Sequence, residues 1–207
     1  MYKLSKRKTP IVAQYKKQMR DIIIYEILIP SVQMLYSIDY DNICMGVSER
    51  NICARLAHHM ENIMRNYDEE HDNSPFRRYF ADVEYNRMGN GNIKCYENSE
   101  HRPQKMVSDL LIQSRGFPQN YLAVEMKRKD NRNKNSLKSD RNRLCSLVKP
   151  SSDDTISNCV HDTVVGAFII YSPNGVKIEI YENVNGQGEI TDEKSLYYRE
   201  GNLILEK

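Results

Sequence analysis

The chain is expected to fold as one α/β domain, with a mixed central β-sheet flanked by helices and an N-terminal helical extension. Three observations predict this class. Apolar residues recur at helical spacing through Glu49–Met64. Short apolar runs at 106–114, 121–128, 163–171 and 176–181 have the length of strands, and a second helical pattern separates the middle two. The composition agrees, since 28% charged and 40% hydrophobic residues with little Gly or Pro are ordinary for a mixed globular domain. At 207 residues there is enough chain for one sizeable core. Residues 1–40 read as a basic arm with helices that pack on the core, and 41–207 as the main domain.

The net charge of +2 is small, so any electropositive surface must come from local clustering. Cys44, Cys53, Cys95, Cys145 and Cys159 are odd in number, widely spaced and without a CxxC pair. That speaks against a zinc ribbon or a disulfide framework and for a reducing compartment. The apolar run Ile22–Ile29 is interrupted by Glu26, is too short to span a bilayer, and no small-residue cleavage site follows it. A cytoplasmic location without a membrane partner is the expectation.

In chain order, MYKLSKRKTP is a basic arm, solvated unless it touches phosphate. A helix is expected over Ile11–Leu28, ended or kinked by Pro30, with Val32–Ile38 as a shorter continuation. These helices would pack on the core or mediate a homodimer. Ser48 is a plausible N-cap for the next helix, whose buried stripe is Ile52, Cys53, Leu56, Met60 and Ile63. At about 100° per residue, Glu49 falls near the middle of that stripe. An acid aimed inward needs a cation, a hydrogen-bond donor or a metal-bound water; the alternative is a solvated first-turn residue favoured by the helix dipole. His58 and His59 diverge on the helix, cannot chelate one ion, and read as surface histidines.

An exposed acidic loop is expected at 66–75, a half-buried strand at Tyr79–Arg87, and a loop at 88–104. In that strand Glu84 shares the polar face with Asp82 and Asn86. The stretch KMVSDLLIQSRGFPQNYLAVEMKRK then predicts a hairpin, with Gly116, Pro118 and Asn120 at its turn. Asp109 sits inside its first apolar run, while Glu125 and Lys127 sit inside its second. By strand alternation Glu125 and Lys127 share one face, opposite Leu122, Val124 and Met126. If Ser114 lies opposite Tyr121 or one residue away, Asp109 comes within reach of that charged pair. Paired carboxylates suit Mg²⁺ or Mn²⁺, which take oxygen ligands plus water and phosphate oxygens. A lysine beside them would orient a water or offset charge on phosphorus.

From Lys127 to Arg143 eight residues are Lys or Arg, against Asp130 and Asp140 only. Arg128, Lys129, Arg132, Lys134, Lys138 and Arg141 are the candidates for holding a phosphate backbone; a solvated helix start is the plainer alternative. Leu137, Leu144, Leu147 and Val148 mark the buried side of a helix ended by Pro150. After a polar loop from Ser151, strands at 163–171 and 176–181 flank a Ser172-Pro173-Asn174-Gly175 turn. An edge strand is expected at 202–205.

Asp109, followed sixteen positions later by Glu125-Met126-Lys127, resembles the core motif of the PD-(D/E)xK nuclease superfamily, with its restriction-endonuclease-like core. The resemblance covers roughly residues 49 to 171. It departs from the motif at Ser108, where the family's proline would stand; that proline is not a ligand. The resemblance implies a metal-dependent nuclease acting on nucleic acid, with DNA the expected substrate. Asp109 and Glu125 would bind Mg²⁺ or Mn²⁺, Lys127 would polarise the water or offset repulsion between the acids, and Glu49 would hold a metal-bound water or a second ion. Glu84 is a further carboxylate candidate, because some subfamilies carry a similar Asp-Val-Glu-Tyr-Asn-Arg stretch. The alternatives are a nuclease fold without chemistry that binds nucleic acid or a protein partner, and a hydrolase of small phosphoesters.

Overall fold

The computed structural model describes residues 10–84, 95–97, 103–105, 107–114, 119–131, 133–150 and 162–205. Helix α1, Pro10–Asp21, continues through a π-helical segment, Ile22–Leu28, into α2, Ile29–Ile38. Pro30 therefore does not end the helix. It sits in the first turn of α2, just after the wider π segment, where the loss of its amide proton and the bulk of its ring are accommodated. The continuous helix corrects the reading of a short apolar run: Gln14–Ile38 is long and apolar enough to cross a membrane by length and composition, with 44% of its most apolar window buried. Ile23, Ile24, Ile27, Val32, Leu35 and Tyr36 belong to the same core as the sheet.

After α3, Tyr40–Met45, helix α4 spans Glu49–Glu70, with Ser48 as N-cap accepting from the Asn51 amide. It runs further than expected, through the first half of the acidic stretch. Arg65 pairs with Glu61 and Asp68 along its surface and Tyr67 packs on the core, so these residues hold helix rather than loop.

The strands are β1 Tyr79–Val83, β2 Cys95–Glu97, β3 Pro103–Lys105, β4 Leu110–Ser114, β5 Asn120–Arg128, β6 Val165–Ser172, β7 Gly175–Val184, β8 Gln187–Arg199 and β9 Asn202–Leu205. Helix α5, Lys134–Val148, links β5 to β6. Seven strands form a mixed sheet in the order β1-β4-β5-β6-β7-β8-β9. Only β5 and β6 run parallel, and α5 supplies the crossover that a parallel pair requires. The pairing of β2 with β3 falls where a loop was expected.

β5 is an inner strand, and Tyr121–Met126 are buried on both faces, as expected for a strand covered by helices on each side. Leu122, Val124 and Met126 face the larger core with α1, α2 and α4; Ala123 faces a smaller one with Leu144, Leu147 and Val148 of α5. β8 was not anticipated, because only Leu196 along it is buried. Asn185 and Gly186, at φ +51° and +88°, form the tight turn that pairs it with β7. Gly188 is required where β8 meets α5, since a Cβ there would lie 2.0 Å from the Cys145 carbonyl oxygen. Among the described residues the cysteines are free.

His59 is not a surface histidine. It is buried, and its Nε2 lies 2.7 Å from Asp39 Oδ2, while Arg55 Nε donates to Asp39 Oδ1 at 2.7 Å. Both lie on the α4 face turned toward the end of α2. Burial alone would raise the Asp39 carboxyl; the hydrogen bonds from Arg55 and His59 outweigh it and hold the group below its ordinary 3.8. A lowered folded value stabilises fully above the unfolded value and is lost as pH falls through the folded one. Asp39→Asn should therefore cost about 1–3 kcal/mol at pH 7 and much less at pH 2, read by urea unfolding at both.

Candidate active site

Three elements bring the charges together. Asp109 stands at the bend just before β4, and the register Leu110↔Val124 sets it beside Glu125 across the hairpin. Its Oδ2 accepts the Met126 amide at 2.7 Å, continuing the ladder beyond the last paired residue. Ser108, beside it, is fully buried with no partner for Oγ among the described residues. Glu49, in the first turn of α4, is turned to the end of β5: Oε1 accepts the Arg128 amide at 2.9 Å and Oε2 the Lys127 ammonium at 3.3 Å.

Lys127 is the hub. Its side chain is 13% exposed, and Nζ lies 3.3 Å from Glu49, 3.6 Å from Asp109 and 3.7 Å from Asp140. Burial would lower its affinity for a proton, but Asp109, Glu49 and Asp140 raise it, so the ammonium is held charged. Glu125, 1% exposed, accepts from Arg143 Nη1 at 2.6 Å, and Arg143 Nη2 donates to Asp140 Oδ1 at 3.1 Å. Burial pushes the Glu125 carboxyl up to about 8; Arg143 opposes the shift, while Asp109 and Asp140 add to it. Burial also raises Asp109, against the Met126 amide and Lys127.

Asp140 and Arg143 were not singled out as site residues from the sequence. The signal was present: Asp140 lies three residues after Leu137 and four before Leu144, on the apolar side of α5, where an acid must find a partner. With them the ion-paired cluster holds four carboxylates, Glu49, Asp109, Glu125 and Asp140, against two cations, Lys127 and Arg143.

Glu84 lies outside the cluster. At φ +49° it leaves the alternation of β1, and its carboxylate pairs with Arg50 at 2.7 Å. Its amide donates to the Asp109 carbonyl at 3.2 Å, so its contribution is to the backbone that carries Asp109. Arg141 also departs from expectation. It forms a forked pair with the buried Glu179, at 2.8 and 2.9 Å, and lies over the Phe168 ring; its donors are engaged in the sheet instead of facing a phosphate. Lys129, Lys134 and Lys138 are exposed, Arg128 pairs with Asp130, and Arg132 lies outside the described residues.

The donors suit a hard cation, because they are all carboxylate oxygens and the cluster carries more negative than positive charge. Among the described residues no group of three His, Cys, Asp or Glu side chains is arranged to hold a metal ion. Two carboxylates suffice for a cation that completes its shell with water and phosphate oxygens. No family model matches this chain, and no curated protein or solved structure matches it either.

Proposed function

We propose that this protein is a divalent-metal-dependent nuclease with a restriction-endonuclease-like core. One observation carries the reading: Glu49, Asp109 and Lys127, from α4, the start of β4 and the end of β5, converge beside the buried Glu125. The order of elements supports it, with an acid-bearing helix before the sheet, a charged hairpin, and α5 packed on the sheet directly after the lysine-bearing strand.

Asp109 and Glu125 would hold Mg²⁺ or Mn²⁺, which supplies charge neutralisation at the phosphate and lowers the pKa of a bound water. Lys127 keeps its proton and sets a positive charge beside Asp109, where it orients a water or offsets charge on a phosphate oxygen. Glu49 fixes that ammonium and the Arg128 amide together, so lysine and strand end move as one. Lys129, Lys134 and Lys138 remain available to a phosphate backbone.

A second reading rests on one specific feature, that Lys127 and Arg143 already sit on the carboxylates. It makes the chain a nuclease-fold module that binds nucleic acid or a protein without cleaving. Incubating the purified protein with DNA and RNA in Mg²⁺ or Mn²⁺, beside Lys127→Ala, separates the two. Metal-dependent cleavage lost in a folded Lys127→Ala supports the nuclease; no cleavage of any substrate supports the binding module.

A further inference from the structure

Lys127 belongs to a row of paired residues that continues across the α5 face of the sheet: Lys127 opposite Ile170, Ile170 opposite Lys177, Lys177 opposite Ser195. A cavity of about 430 Å³ opens along this row, a size that accommodates a small organic group. Four cations line it, Lys127, Arg128, Lys129 and Lys177; Lys127 is held by the acids of the cluster, Arg128 by Asp130, and Lys177 by Glu193 and Glu179. Lys129 makes no side-chain ion pair among the described residues. The rest of the lining is largely apolar, including Leu137 from the first turn of α5 and Tyr197, which is 44% exposed.

Lys129 at the rim, an apolar floor and an aromatic ring together ask for a ligand that is both anionic and flat. Lys127 connects the two places, since it lines this cavity and also pairs with Asp109. A phosphate held at Lys127 thus leaves its neighbouring nucleoside at the mouth of the cavity. A base inside a duplex is stacked and paired and cannot enter without being extruded, whereas an unpaired base stacks on an aromatic side chain with little sequence preference. We propose that this cavity receives an unpaired base next to the phosphate held at Lys127, so that the substrate is single-stranded nucleic acid or a single-stranded segment of it. This rests on the nuclease reading and narrows its substrate.

The test measures binding of a short fluorescent single strand, as DNA and as RNA, against a hairpin duplex of the same length, in Ca²⁺. Cleavage of the same probes is followed separately in Mn²⁺. The single strand should bind about tenfold or more tighter than the duplex, with Tyr197→Ala removing about tenfold and Tyr197→Phe little. Should Tyr197→Ala fail to fold, Lys177→Glu takes its place and should also weaken the single strand selectively. Equal binding of both probes, indifferent to Tyr197 and Lys177, with metal-dependent cleavage intact, overturns the cavity's role and leaves the nuclease. Neither binding nor cleavage of any probe overturns both. Tight binding of a free mononucleotide with none of the strand overturns the strand proposal in favour of a small phosphoester substrate.

Discussion

Asp109→Asn should abolish metal-dependent cleavage, with a loss of at least about 10²-fold, and leave the fold as stable as before or more so. The scale follows from metal sites generally, where removing a group one shell out already costs about 10- to 100-fold; Asp109 would be a ligand itself. Stability should survive because the Met126 amide, 2.7 Å from Oδ2, keeps an acceptor in the asparagine carbonyl oxygen. The exchange also removes one charge from a cluster with more carboxylates than cations, in which burial already raises the Asp109 carboxyl. Cleavage rates in Mn²⁺ and melting temperatures of both proteins check this together. A variant that melts like the wild type and still cleaves at the wild-type rate would remove Asp109 from the chemistry.

The expected hairpin and the charges on it were legible because strand alternation is local: Glu125 and Lys127 two residues apart must share a face, whatever the strand packs against. Glu49 was legible for a similar reason, from its place on a helical stripe. The alternatives at Glu49 were a local matter too, but only the tertiary structure decides that its partners are Lys127 and the Arg128 amide. Asp140 carried a signal in its place on the apolar side of α5, but Arg143 depends on how that helix is rotated over β5, and a basic run gives no hint that one of its arginines turns inward to a buried acid. Arg141 failed in the opposite direction, because its partner Glu179 lies on β7 and pairing between distant strands leaves no mark in the local sequence. Glu84 failed because the alternation used to place it stops at its positive φ. The mixed sheet was expected as a class, yet β8 escaped, since a strand with one buried residue carries no apolar period. Its Asn-Gly turn was the available cue.

Arg143→Ala should be the most destabilising single change in the site, and a divalent cation should reverse part of it. Arg143 is the cation that pairs with Glu125, donating at 2.6 Å, and it also donates to the Val107 carbonyl at 3.0 Å. Removing Arg143 takes away the cation that opposes burial at Glu125, whose carboxyl is already pushed up to about 8, so the acid takes up a proton and the loss is that of buried hydrogen bonds, about 1–3 kcal/mol. Glu125→Gln added to the same chain should restore part of that loss, because the amide is neutral without taking up a proton; the two changes are coupled, and a double-mutant cycle measures by how much. If Glu125 is a metal ligand, Mn²⁺ should raise the melting temperature of Arg143→Ala more than that of the wild type. The ion then occupies a carboxylate that the arginine no longer holds, and binding to the folded state alone adds about 2.7 kcal/mol at a hundredfold excess over its dissociation constant. The same ion should do little for Arg143→Ala combined with Glu125→Gln. An equal response of all three proteins to Mn²⁺ would mean that the ion does not reach Glu125, and the pair Glu125–Arg143 would then be a structural contact beneath a site formed by others.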